Sequence, residues 1–137
     1  MMPRITNFAY CHDTIIENNQ VEVINLAQVL EAVDGVMNFS IVFTLTDFNL
    51  RQDHIGYLEF LNPKEEVIFE TERFYLEKEE GISGNERVAS GATLGMSFNN
   101  VLYEGPGVYS MDIIVDDERI ARFSIPVIVT KVGEKYD

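Results

Sequence analysis

Alternation of apolar and polar residues with a period of two constrains this chain more than any other feature. Phe39, Ile41, Phe43 and Leu45 interleave with Asn38, Ser40, Thr44 and Thr46, broken only by Val42. Tyr109, Met111, Ile113 and Val115 repeat the pattern, as do Ala121, Phe123, Ile125, Val127 and Val129. Successive side chains of a strand point to opposite faces, so this spacing predicts strands with one buried and one solvated face. Shorter stretches at 5–11, 21–26, 55–61, 67–75 and 94–101 read the same way. Asn62-Pro63-Lys64-Glu65 supplies turn chemistry between two of them, and Asp116-Asp117-Glu118 closes a hairpin between the last two. Pro126 has no amide proton for a ladder, so the final strand is expected at an edge or paired on one side.

One segment departs from this period. Leu26, Val29, Leu30 and Val33 fall at helical spacing, with Asn25 placed as an N-cap and Gly35 as a stop. A helix of two or three turns and an extension of the preceding strand both fit residues 25–34. Residues 77–91 hold three glycines and two serines without strong periodicity and read as a long mobile loop. The expectation is one all-β domain over 1–137: an immunoglobulin-like antiparallel sandwich of about seven to nine strands, with that short helix as an option. A folded chain of this length exposes about 7,000 Å² against about 23,000 Å² unfolded, enough burial for a core without disulfides or metal.

Charge narrows the function classes. With 23 acidic against 10 basic residues the chain carries −13, which disfavours nucleic acid and anionic membrane surfaces as partners. No run of apolar residues approaches the length of a membrane-spanning helix, the N-terminus lacks the apolar stretch of a signal peptide, and Cys11 is the sole cysteine. The expected location is cytoplasmic. Eight glutamates lie between Glu65 and Glu86, and Glu65, Glu66, Glu70 and Glu72 form an acidic hairpin suited to a partner rich in Lys and Arg.

Few residues invite catalysis. Cys11, His12 and Asp13 are adjacent, but neighbours on a strand face opposite ways, so Cys11 reads as a small buried hydrophobe. Two histidines without zinc spacing predict no structural zinc site, and no phosphate-binding glycine loop occurs. Gly81-Ile82-Ser83-Gly84 misses the nucleophile-elbow spacing by one residue. Glu59 and Glu70 are placed to face each other across a hairpin, as solvated carboxylates rather than an acid–base pair. Asp47 and Asp53 flank a loop and Asp112, Asp116 and Asp117 lie on or near the last hairpin; gathered at one rim, such carboxylates would bind calcium, whereas Asp116-Asp117 also serves turn geometry. No cofactor is expected. Gly105-Pro106-Gly107-Val108-Tyr109 looks like a tyrosine corner, in which Gly107 permits the turn and the Tyr109 hydroxyl caps backbone nearby.

Together these residues resemble a family of small bacterial β-sandwich proteins of unknown function. The likeness is carried by Asn7-Phe8-Ala9-Tyr10-Cys11, Val21-Glu22-Val23-Ile24-Asn25-Leu26 and Leu61-Asn62-Pro63. It continues through Gly107-x-Tyr109, Ile113-Ile114-Val115-Asp116-Asp117, Ile120-Ala121 and Pro126-Val127. It covers most of the chain outside 77–91. Such sequences often carry Asp-Gly in the last hairpin where this one has Asp116-Asp117, leaving the turn type open. The resemblance implies a fold and no activity. The expected function is a non-enzymatic interaction module with a protein partner, or a homo-oligomer joined through a sheet edge, with the Pro126 strand as site or safeguard. The alternatives are a calcium- or small-ligand-binding sandwich and an acidic inhibitor mimicking nucleic acid.

Overall fold

The computed structural model describes residues 3–17, 20–79 and 91–130. Ten strands appear and no helix among these residues: β1 (Arg4–Glu17), β2 (Gln20–Leu26), β3 (Leu30–Val33), β4 (Val36–Thr46), β5 (His54–Leu61), β6 (Val67–Glu70), β7 (Phe74–Leu76), β8 (Gly91–Leu102), β9 (Gly107–Val115) and β10 (Glu118–Thr130). The ladder order is β2-β1-β4-β3-β10-β9-β5-β6, with β8 on the far side of β4 and β7 continuing along β5.

This continuous ladder folds into two layers. Phe39 on β4 lies 5.1 Å from Phe60 on β5, and Phe43 on β4 lies 6.3 Å from Phe74 on β7, although neither pair of strands is hydrogen-bonded. One layer is therefore β2-β1-β4-β8 and the other β10-β9-β5 with β6 and β7. Strand β3 joins the layers by pairing antiparallel with β4 and parallel with β10, the one parallel pairing among the described residues. The arrangement of β4 and β8 opposite β5, β9 and β10 is that of an immunoglobulin-like sandwich. The core fills from the predicted inward rows: Phe39, Ile41, Phe43 and Leu45 face Tyr109, Met111, Ile113 and Val115, all at most 2% exposed.

Two details that the sequence leaves open are resolved. Residues 25–34 contain strand β3 and no helix: Leu30 and Ala32 are buried at a spacing of two while Leu26 is 68% exposed. Asp34 and Gly35, with φ of 52° and 82°, form the two-residue turn of a hairpin, a backbone twist that matches the flanking strands. The count also exceeds nine, because the predicted strand at 67–75 divides. The Thr71 hydroxyl accepts the Leu58 amide proton at 2.9 Å where a ladder carbonyl would otherwise sit, so β6 ends and β7 restarts further on.

The turn type of the last hairpin is now defined. Asp116 and Asp117 both adopt positive φ, 51° and 67°, and Val115 pairs with Glu118 across them. The tyrosine corner is present at the β8–β9 connection. Tyr109, fully buried, donates its hydroxyl proton to the Gly105 carbonyl at 2.7 Å and accepts the Glu104 amide proton at 2.8 Å. Gly107 has φ 137°, and a Cβ there would meet Pro63 at 2.8 Å. The Asn62 turn that carries Pro63 is fully bonded. Asn62 Oδ1 accepts the amide protons of Lys64 and Glu66, and Nδ2 donates to Glu66 and Glu104.

Candidate functional site

The carboxylates singled out from sequence are mostly engaged within the fold. Asp47 pairs with Arg4, and Asp53 accepts the Lys78 amide proton at 2.8 Å, tying the start of the 77–91 stretch to the preceding loop. Residues 80–90, with Gly81-Ile82-Ser83-Gly84, lie outside the described residues. Asp116 Oδ2 lies 2.7 Å from Nδ1 of the buried His54, whose Nε2 lies 2.7 Å from the Asn49 carbonyl oxygen; Asp116 Oδ1 accepts the Ile55 amide proton. Asp117 is exposed on the turn. The four do not converge, and among the described residues no group of three or more His, Cys, Asp or Glu is arranged to hold a metal ion.

The acidic hairpin divides likewise. Glu65 pairs with Arg122, Glu66 accepts from Asn62, Glu70 lies 3.7 Å from Arg73, and Glu72 is exposed. Glu59 and Glu70 are opposite each other as expected, and Asp112 is opposite Glu59 on its other flank. Basic side chains neutralise this row. Arg122 binds buried Asp112 through Nε and Nη2, which together with Glu65 raises the guanidinium pKa, and Arg119 approaches to 3.6 Å. Cys11 is fully buried and His12 exposed, on opposite faces of β1; the side chain of Asp13 lies outside the described residues.

Among the described residues β2 and β8 each pair on one flank, and the one of the two without a charge is β8, not the edge marked by Pro126. Pro126 pairs with Val108, and from Val127 onward β3 covers the other flank of β10. The stretch before it is guarded. Tyr10 donates its hydroxyl proton to the Phe123 carbonyl, the Phe8 ring stacks on Phe123 at 4.1 Å, and Arg119 and Arg122 add charge. Natural sheets blunt their edges with such charges, prolines and caps. The edge formed by β6 and β7 is blunted differently, being two short pieces separated by a break and flanked by charged residues.

Strand β8 carries none of these charges or prolines. It runs for 12 residues, Gly-Ala-Thr-Leu-Gly-Met-Ser-Phe-Asn-Asn-Val-Leu, without a charged residue or proline, in a chain of net charge −13. Among the described residues it pairs with β4 alone. Its outward row is small: Thr93 and Ser97 hydrogen-bond Thr44 and Ser40 on β4, at 3.0 and 2.8 Å. Its inward row, Leu94, Met96 and Phe98, is only half-buried, because β6 and β7 opposite are too short to cover it. Along this side the two layers touch through Phe69 and Phe98, 4.9 Å apart, and leave a mouth with a cleft toward each end. The larger, about 380 Å³, is lined by Ile68, Phe69, Phe98, Asn99, Asn100 and Leu102, among others. The other, about 270 Å³, lies between Phe48, Leu50, Leu76 and Ala92, with Glu77 and Glu79 on its wall.

The absence of charge from β8 was visible in the sequence. Its position at an edge was not, because pairing order depends on contacts between distant segments. His54 was missed because its partner Asp116 lies 62 residues away.

No family model matches the chain, and no curated protein matches it in sequence. Similar solved structures include an immunoglobulin-like protein from Pseudomonas aeruginosa, 14% identical, covering 93% of this chain and 98% of that one with a TM-score of 0.47. Another is the C-terminal domain of wzt, 9% identical, covering 98% of this chain and 83% of that chain with a TM-score of 0.49.

Proposed function

We propose that this protein is a non-enzymatic interaction module that binds an extended segment of a protein partner by adding it as a strand along β8. The observation that carries this reading is the uncharged, proline-free edge of β8, flanked by a half-covered apolar row. Such an edge offers main-chain donors and acceptors for affinity and alternate side-chain sites for specificity. The resemblance to small bacterial β-sandwich proteins and the cytoplasmic setting expected from sequence belong to the same reading.

The test is capture of partners from host lysate by the tagged protein, in parallel with a Met96→Lys variant that puts a charge into the inward row of β8. A stoichiometric partner retained by the parent and lost by a folded Met96→Lys protein supports strand addition. A partner held equally by both places the contact elsewhere and overturns the proposal.

A further inference from the structure

Resting on that strand-addition reading, we infer that the segment accepted by β8 carries a large apolar residue near one end and Lys or Arg about six residues away, toward Gly91. The argument starts from the lip opposite β8. Residues 65–79, which run through β6 and β7, hold six acidic and two basic residues, whereas β8 holds none of either. A strand added to β8 lies about 5 Å from it laterally and about 10 Å from the facing layer, within reach of a long side chain crossing the mouth.

The two clefts differ in chemistry. At the Phe98–Leu102 end the walls are Ile68, Phe69 and Phe98, with the exposed Leu102 alongside, a setting for an aliphatic or aromatic anchor. At the Gly91 end the wall carries Glu77 and Glu79, both exposed, a setting for a cation. Six residues separate Ala92 in one cleft from Phe98 in the other, about 20 Å along a strand. Side chains of an incoming strand alternate between faces, so anchor and cation at an even spacing enter the same mouth. A second copy of this chain is a poor occupant, since its own lip would bring six further carboxylates against these.

The probe is a synthetic nonapeptide alternating threonine and valine, with leucine at its second position and arginine at its eighth. It is compared with versions carrying glutamine or glutamate in place of arginine, and each is also made in reverse order. Binding is read by fluorescence anisotropy at low salt and at about 0.3 M salt, where charge interactions beyond several ångströms are screened. In the favoured order the arginine peptide is expected to bind about fivefold tighter than the glutamine peptide, the size of one or two exposed ion pairs. The glutamate peptide binds weakest, and Glu77→Gln with Glu79→Gln abolishes the difference. Equal binding of arginine and glutamine peptides, both lost in Met96→Lys, overturns the cation assignment and leaves strand addition standing. No binding by any peptide, or binding indifferent to Met96→Lys, overturns both.

Discussion

Replacing Tyr109 with Phe removes a single oxygen from the corner that sets the β8–β9 connection, and the structure fixes what that oxygen does. It serves two backbone groups, donating to the Gly105 carbonyl at 2.7 Å and accepting from the Glu104 amide at 2.8 Å. The ring itself is retained, with its contacts to Phe60 at 5.7 Å and Tyr103 at 6.3 Å, so the change isolates the hydroxyl. Each hydrogen bond is worth about 1 kcal/mol net, and an unpaired buried partner costs about 1–3 kcal/mol. Glu104 is exposed and Gly105 half-buried, so water recovers part of the loss, and the expected cost is about 2 kcal/mol. At roughly 2 cal/mol/K per residue the unfolding entropy of this chain is about 0.3 kcal/mol/K, which converts that cost to a fall in Tm of about 7 °C. Urea unfolding of Tyr109→Phe is expected to show a lower midpoint at unchanged slope. A loss under about 0.5 kcal/mol would refute the corner as a structural anchor.

Three further outcomes follow from the packing. Gly107→Ala is expected to cost at least about 2 kcal/mol, from a φ of 137° and a 2.8 Å approach to the Pro63 Cβ; adding Pro63→Gly, which removes both the Cβ and the Cγ that the new methyl meets, should recover only the steric part, and full recovery in a double-mutant cycle would show that the backbone is unstrained. Arg122→Met should lose about 1–3 kcal/mol, because Asp112, which is 8% exposed, then keeps Arg119 at 3.6 Å in place of two close hydrogen bonds, whereas Glu65→Gln at the exposed end of the same cation should change stability by under about 0.5 kcal/mol; equal effects would contradict the assignment. Burial, foremost, raises the phenol pKa of Tyr10, which caps Phe123, and of Tyr109. Because the folded values lie above the unfolded one, their contribution is whole below about pH 10 and is lost as pH rises beyond it. Unfolding free energy should therefore decline above that pH, and less steeply in Tyr10→Phe; an identical slope in the variant would remove Tyr10 from the account.

The strands that alternate cleanly, β4, β9 and β10, are legible because period two survives in any antiparallel context. Strand β3 was harder to read because four residues hold too few repeats to separate a period of 2 from one of 3.6. The stronger signal there is the hairpin dipeptide Asp34-Gly35, whose Gly35 alone fits a helix stop equally well. The break at Thr71 is tertiary in origin: a side chain replaces a ladder carbonyl, which propensity does not encode. For the site, Pro126 pairs on one side only, as expected, yet it does not mark the open edge, because β3 arrives from 97 residues away in sequence to pair with β10 from Val127 onward. The carboxylates of Asp53 and Asp116 resembled ligands because loops that bind calcium and loops that tie backbone together use the same residue type.

The account turns on whether β8 has a free flank. Residue-resolved amide hydrogen exchange by NMR on the isolated protein reads this directly, since alternate amides of a strand point to opposite neighbours. An open edge predicts alternating protection along Gly91–Leu102, with amides directed at β4 exchanging slowly and the intervening ones exchanging fast. Slow exchange at both sets would mean that the edge is already covered, contradicting strand addition at β8.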